Sequence, residues 1–156
     1  MIIGLVSDSH GKPARLQAAV SRLRDAELII HLGDGASDWE AMERGCHCPI
    51  LQIQGNCDWH SHYPETIVRE MGGICALFTH GHKFGVKLGM ERLYYAALER
   101  QVQLACYGHT HLPAVDMKNG ICFVNPGSIA SSGTCARITI HEDGRVIPAI
   151  LSILEP

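Results

Sequence analysis

The sequence has little net charge, no long apolar run and no evenly paired cysteines, and each shortage closes off a class of protein. A formal net charge of -3 leaves no electrostatic footprint for a nucleic-acid surface or a polybasic membrane anchor. No stretch approaches the apolar length of a membrane span. Residues 1–6 are apolar, yet they carry no basic flank or small-residue cleavage site and run directly into Ser7 and Asp8. They read as a buried strand rather than an export signal. The seven cysteines are odd in number, and Cys75, Cys106 and Cys122 sit in apolar runs, where a free thiol behaves as a small core residue. A reduced, cytoplasmic protein is expected, not a disulfide scaffold. Repeats, low-complexity tracts and linkers are missing as well. The 156 residues therefore read as a single domain, 1–156, built on one core.

Histidine, by contrast, is abundant. There are ten, and five of them fall in three tight clusters: His10 beside Asp8, His80 with His82, and His109 with His111. The elements around them follow from periodicity. Residues 2–7, 27–32 and 50–54 are short apolar runs ending in polar residues, as buried strands do. Residues 12–24 carry Leu16, Ala19, Val20 and Leu23 at helical spacing, with Pro13 in the first turn. A short helix over 38–44 follows. This β-α-β-α-β opening implies a parallel sheet with right-handed crossovers. Gly72-Gly73, Asn119-Gly120 and Asp143-Gly144 mark hairpins, joining 66–71 to 74–79, 114–117 to 121–124, and 134–141 to 145–153. A helix over 86–99, with Leu88, Leu93, Tyr94, Ala97 and Leu98 on its apolar side, precedes a strand at 102–107. Two sheets packed together with helices outside fit this pattern.

Five of these segments end in residue types that bind metals: Asp8-Ser9-His10, Gly33-Asp34, Gly55-Asn56, His80-Gly81-His82 and Gly108-His109-Thr110-His111. The carboxyl ends of strands line the ligand crevice of open α/β sheets, so the five loops are expected to converge. Any one of these patterns alone is ordinary turn chemistry. The set, in this order and phase, is not.

Together with Cys57-Asp58, Leu112-Pro113 and Asn125-Pro126-Gly127-Ser128, these motifs resemble a calcineurin-like metallophosphoesterase of the small bacterial and archaeal phosphodiesterase branch, over nearly the whole span from Asp8 to Ser128. The resemblance implies an α/β fold, a four-layer α-β-β-α sandwich of two mixed sheets packed face to face with helices on the outside. It implies two divalent metal ions, Mn foremost, with Fe, Zn, Ni or Co as alternatives. Asp8, His10 and His111 would hold the first ion, Asn56, His80 and His109 the second, and Asp34 both. Two carboxylates against two divalent ions leave the ligand set about two charges positive, which suits a small phosphate ester despite the acidic chain. A nitrogen and oxygen set favours transition metals over Ca. Two ions about 3.5–4 Å apart can activate a bridging hydroxide for in-line attack on phosphorus. The expected activity is phosphodiester hydrolysis. Two alternatives stand beside it: a phosphomonoesterase with the same dinuclear site, and a non-catalytic interaction scaffold, since a retromer scaffold subunit is similar to this branch. Relatives are often dimers or larger, so a homo-oligomer is open.

Where many relatives carry a histidine after the Gly-Asn pair, this chain has Cys57. A thiol is a weaker proton donor at neutral pH than an imidazolium, so aryl phosphodiesters should be turned over better than alkyl ones. Asn56, Cys57, Asp58 and His82 are candidate substrate contacts. His60 and His62 read as loop residues, and His31 and His141 as structural. Cys46-His47-Cys48 looks like half a zinc site without a second half at zinc-finger spacing, and reads as a turn before Pro49.

Overall fold

The computed structural model describes residues 1–42 and 45–154. In chain order the elements are β1 (Ile2–Val6), α1 (Pro13–Arg22), β2 (Leu28–His31), α2 (Ala36–Glu40), β3 (Ile50–Gln52), β4 (Thr66–Met71), β5 (Ile74–Thr79), α3 (Glu91–Glu99), β6 (Leu104–Cys106), β7 (Ala114–Lys118), β8 (Ile121–Asn125), β9 (Thr134–Ile140) and β10 (Val146–Ser152). One sheet has the order β10-β9-β1-β2-β3, the other β4-β5-β6-β8-β7. β1, β2 and β3 are parallel neighbours, as the helix-linked opening requires. All three glycine-marked hairpins form as antiparallel pairs. Asn119 (φ 49°) and Gly120 (φ 78°) both adopt positive φ, the geometry of the tight two-residue turn that matches strand twist. Pro148 is accommodated because β10 is an edge strand.

Period-two alternation sorts each strand's side chains into layers. Ile3, Leu5, Ile30, Ala76, Phe78, Leu104, Cys106, Val124 and Ile138 share one buried cluster between the sheets. Val6, Ile29 and Cys135 on the opposite face meet Leu16, Ala19 and Val20 of α1. Leu77, Ala105, Ile121 and Phe123 meet Leu93, Tyr94 and Ala97 of α3. The result is the expected four-layer sandwich, helix over sheet over sheet over helix. Phe78 and Leu5 are fully buried, and truncating either to alanine should cost about 3–5 kcal/mol.

Two local expectations need correction. The helix expected over 86–99 spans only Glu91–Glu99, preceded by a 3-10 turn at His82–Phe84. The Gly85 carbonyl accepts the Leu88 and Gly89 amides in a separate turn, and Gly89 disfavours helical continuation through it, so Leu88 lies outside the helix, 97% exposed. The short helix expected over 38–44 is observed over Ala36–Glu40; its last two expected residues, 43 and 44, lie outside the described residues.

Candidate metal centre

The strands deliver their ends to one rim. β1 leads to Asp8 and His10, β2 to Asp34, β3 to Asn56, β5 to His80, and β6 to His109 and His111. Backbone hydrogen bonds lash these loops together: the Asp8 amide donates to Gly33 O (2.9 Å), the His10 amide to Asp34 O (3.1 Å) and the Gly108 amide to His80 O (3.0 Å). Gly33 and Gly55 touch backbone to backbone, and a Cβ on Gly33 would come within 2.7 Å of Gly55 and 2.8 Å of His80 Nδ1. Only glycine permits that approach.

The candidate donor atoms converge as two overlapping groups. Those of Asp8, His10 and His111 lie within 4.8 Å of one another, as do those of Asp34, His80 and His109. His111 Nε2 is 3.0 Å from Asp8 Oδ1, and His10 Nε2 is 3.5 Å from it. Asp34 Oδ2 stands between the groups, 3.4 Å from His80 Nε2 and 3.8 Å from His10 Nε2. Asn56 Oδ1 and His109 Nδ1 approach His80 Nε2 at 3.1 and 3.2 Å. All seven residues expected from the motifs are thus brought together. Five of them (Asp8, His10, Asp34, His109 and His111) adopt positive φ, among seven non-glycine residues that do so among the described residues. Such backbone strain collects at functional sites.

Neighbouring groups set which atom of each ligand faces inward. Asp8 Oδ2 accepts hydrogen bonds from the Ser7 hydroxyl and the His109 amide. Asp8 Oδ1 is buried and makes no well-directed hydrogen bond among the described residues; it faces only the ring nitrogens of His111, His10 and His80 at 3.0, 3.5 and 4.0 Å. A buried carboxylate oxygen ringed by imidazole nitrogens is a site that a cation would satisfy. His80 Nδ1 donates to Leu32 O at 2.7 Å, which fixes the tautomer and presents Nε2 to the cluster. Burial drops the His109 ring to about 4, aided by the nearby His80 cation. Burial also disfavours the His80 cation, but Asp34 and Asp8 outweigh it and raise that ring. Burial pushes the Asp34 carboxyl up, yet His80 and the Cys57 amide prevail and hold it well below the usual carboxylate range. The oxygen and nitrogen donor set, with Asp8 Oδ1 turned into it, fits divalent cations.

The second ring of residues divides. Asp58, expected from sequence to meet substrate, spends both oxygens on backbone: Oδ1 accepts from the Gly35 and Ala36 amides at 2.9 Å each, and Oδ2 from Asp34 (2.7 Å) and Gly55 (2.8 Å). Asp58 therefore clamps the Asp34 loop to the Asn56 loop, and its charge is satisfied there. Cys57 is exposed, and its thiol lies within 4.8 Å of donor atoms of His10 and Asp34. Burial, a hydrogen bond to Asp34 and the carboxylates of Asp34, Asp58 and Asp8 push the thiol up. His82 is half-buried, its ring 5.4 Å from that of His80 and 6.1 Å from that of His109. Asn125 donates from Nδ2 to Gly108 O (3.0 Å) and Thr110 Oγ1 (2.9 Å), bracing the His109 loop. The Ser128 hydroxyl donates to Asp8 O at 2.9 Å. Sequence reasoning missed the clamping role of Asp58. A carboxylate three residues after a strand-ending glycine, in reach of turn amides, was its only signal.

Residues 1–143 match the model of the calcineurin-like phosphoesterase superfamily domain. The chain belongs to this superfamily. It is 33% identical over 130 residues to the probable metallophosphoesterase YsnB of Bacillus subtilis, a match spanning 83% of this chain and 75% of that one. Its fold superimposes on an archaeal phosphodiesterase with a TM-score of 0.77 at 22% identity, covering 97% of this chain and all of the other. It also superimposes on zinc-complexed Vps29 from Entamoeba histolytica with a TM-score of 0.75 at 20% identity, covering 98% and 99%. Membership carries metal-dependent phosphoester hydrolysis as the family chemistry. No helix among the described residues is long and apolar enough to cross a membrane.

Proposed function

We propose that this chain is a dinuclear metal-dependent phosphodiesterase, with Asp8, His10 and His111 holding one ion, Asn56, His80 and His109 the second, and Asp34 both. The observation that carries this reading is the convergence of the seven donors at one rim, with the buried Asp8 Oδ1 facing three imidazole nitrogens. When bound, two such ions supply Lewis acidity toward phosphoryl oxygens and lower the pKa of water toward neutrality. Mn is the metal we would load first, with Fe, Zn, Ni or Co as substitutes.

The protein's own part is positioning. Ser7 and the His109 amide fix Asp8, Leu32 O fixes His80, and Asp58 fixes the backbone beneath Asp34 and Asn56. Asn56, Cys57 and His82 border the opening and are our candidate substrate contacts. The Cys57 thiol, pushed up by its surroundings, is a poor proton donor at neutral pH. The leaving oxygen must then depart largely as an anion, which selects acidic alcohols and phenols. All seven cysteines are free thiols, in keeping with a reducing, cytoplasmic setting. The likeness to Vps29 favours a second reading as an interaction scaffold, and the intact donor set weighs against it.

The test is hydrolysis of bis(4-nitrophenyl) phosphate and 4-nitrophenyl phosphate by chelator-stripped protein reloaded with Mn, beside Asp34→Asn. The proposal expects Mn-dependent turnover that prefers the diester and disappears in Asp34→Asn. Equal activity in Asp34→Asn would sink the mechanism. Absence of Mn uptake by the native protein would favour the scaffold.

A further inference from the structure

Cys46-His47-Cys48 takes no part in the centre described above. It lies immediately before β3, whose far end leads to Asn56, and so stands at the opposite end of the sheet from the ligand loops. The segment bends ahead of Pro49, and the bend turns all three side chains toward one point. Cys46 Sγ and Cys48 Sγ are 3.9 Å apart, and with a His47 ring nitrogen the three donors lie within 4.8 Å of one another.

His47 Nε2 is 3.2 Å from Ala26 O. A proton donated there leaves Nδ1 with a free lone pair, and a ring N–H held by a backbone carbonyl is how metal-binding imidazoles are usually oriented. Both cysteines are half-buried against the cluster formed by α1 and Trp39, so the backbone that carries them is anchored. Two sulfurs and one imidazole make a soft set, unlike the oxygen and nitrogen donors at the other end of the sheet. Two thiolates also neutralise a divalent ion.

We infer that Cys46, His47 and Cys48 form a separate site for one thiophilic divalent ion of the zinc class. Binding forms two sulfur–metal bonds and one nitrogen–metal bond, and the two thiol protons pass to solvent with no change of oxidation state. Three protein donors leave a fourth tetrahedral position for water.

Cobalt reads this directly, because a thiolate-to-cobalt charge-transfer band in the near ultraviolet arises only from sulfur ligands. Cys57 is the one thiol beside the other centre, so the experiment uses reduced, full-length Cys57→Ser protein stripped by chelator and titrated with Co. The expected result is a charge-transfer band whose plateau corresponds to one thiolate-bound Co per chain, beside the two ions that the other centre takes without such a band. Zn then displaces the band, and Zn loading of the stripped protein releases about two more protons per chain than loading of the variant that also lacks Cys46 and Cys48. Adding Cys46→Ser and Cys48→Ser should erase the band while Mn-dependent hydrolysis persists at the Cys57→Ser level. No band in Cys57→Ser protein overturns the inference. So does an unchanged band in the triple variant, or an unreducible Cys46–Cys48 disulfide that blocks uptake. Because hydrolysis is read separately, failure here leaves the phosphodiesterase reading untouched.

Discussion

Acidifying the metal-stripped protein from pH 7 to pH 5 forces a proton onto a group with nowhere to put it. His31 ends β2 with its side chain fully buried, its ring 5.9 Å from Trp39 in an edge contact. Neither ring nitrogen has a hydrogen-bond partner among the described residues. Burial lowers the ring to about 4, against the pull of the Asp58, Asp8 and Asp38 carboxylates and with some help from His80. In the unfolded chain the same ring titrates near 6.5. Unfolding therefore takes up a proton between these values, and stability is whole above pH 6.5 and lost as pH falls toward 4. Linkage puts the loss at about 2 kcal/mol between pH 7 and pH 5, and about 3 kcal/mol below pH 4. Urea unfolding in chelator at pH 5, 6, 7 and 8, with His31→Phe and His31→Asn beside the native chain, measures it. Either variant changes stability at pH 7, but both should flatten the drop between pH 7 and pH 5 by about 2 kcal/mol, since other titrating groups are common to all three. Identical drops in the native and variant proteins would refute the argument.

Four further outcomes follow from the centre. Asp58→Ala strands four backbone amides and should cost on the order of 3 kcal/mol, with weaker Mn uptake; unaltered melting would refute the clamp. His80 is raised above 6.5 in the metal-free protein, so its stabilising charge is present in full below pH 6.5 and fades as pH climbs through the raised value. Metal competes for the same nitrogen, and the rise in Tm on saturating Mn should grow from pH 6.5 upward, which thermal melts with and without chelator would show. Introducing an imidazole with Cys57→His should narrow the gap in kcat between aryl and alkyl phosphodiesters by on the order of 100-fold, the lower end of general-acid assistance; a constant gap argues that leaving-group protonation does not run through this position. Gly55→Ala drives a Cβ into the Asp34 amide and carboxylate, and metal titration should find uptake largely abolished while far-ultraviolet circular dichroism stays native-like.

The layers and the rim were legible from sequence because they depend on periodicity and phase. The apolar runs at 2–7, 27–32 and 50–54 marked buried strands, and the polar residues that stop each run located the ligand loops. What was illegible depends on which atoms meet across the fold. Asp58 read as a candidate substrate contact beside Asn56, and only the approach of the Asp34, Gly35 and Ala36 amides shows it to be a clamp. His31 read as structural because it sits inside an apolar strand, but nothing local shows that its nitrogens lack partners. Leu88 fitted a helical face by spacing alone, and the turn closed on the Gly85 carbonyl by the Leu88 and Gly89 amides overrode that spacing.

The backbone at the rim explains why so many polar residues surround the donors without being donors. Five of the proposed ligands hold positive φ, which for non-glycine residues costs on the order of 1 kcal/mol or more each. That strain lets side chains on successive strand ends turn toward a common centre instead of alternating up and down. Each strained segment is pinned by a neighbour: Asp8 through the Ser128 hydroxyl on its carbonyl, Asp34 through Asp58, and the His109–His111 turn through Asn125. His10 is tied to Asp34 O. Asp58, Asn125 and Ser128 thus offset the strain before any cation arrives, and the donors wait close to their working positions. Removing a pin should therefore weaken metal binding more than it weakens the fold, whereas removing a core side chain such as Leu5 should do the reverse. Parallel Mn titrations and urea melts on Ser128→Ala and Leu5→Ala would separate the two, and equal ratios of affinity loss to stability loss would defeat the pinning argument.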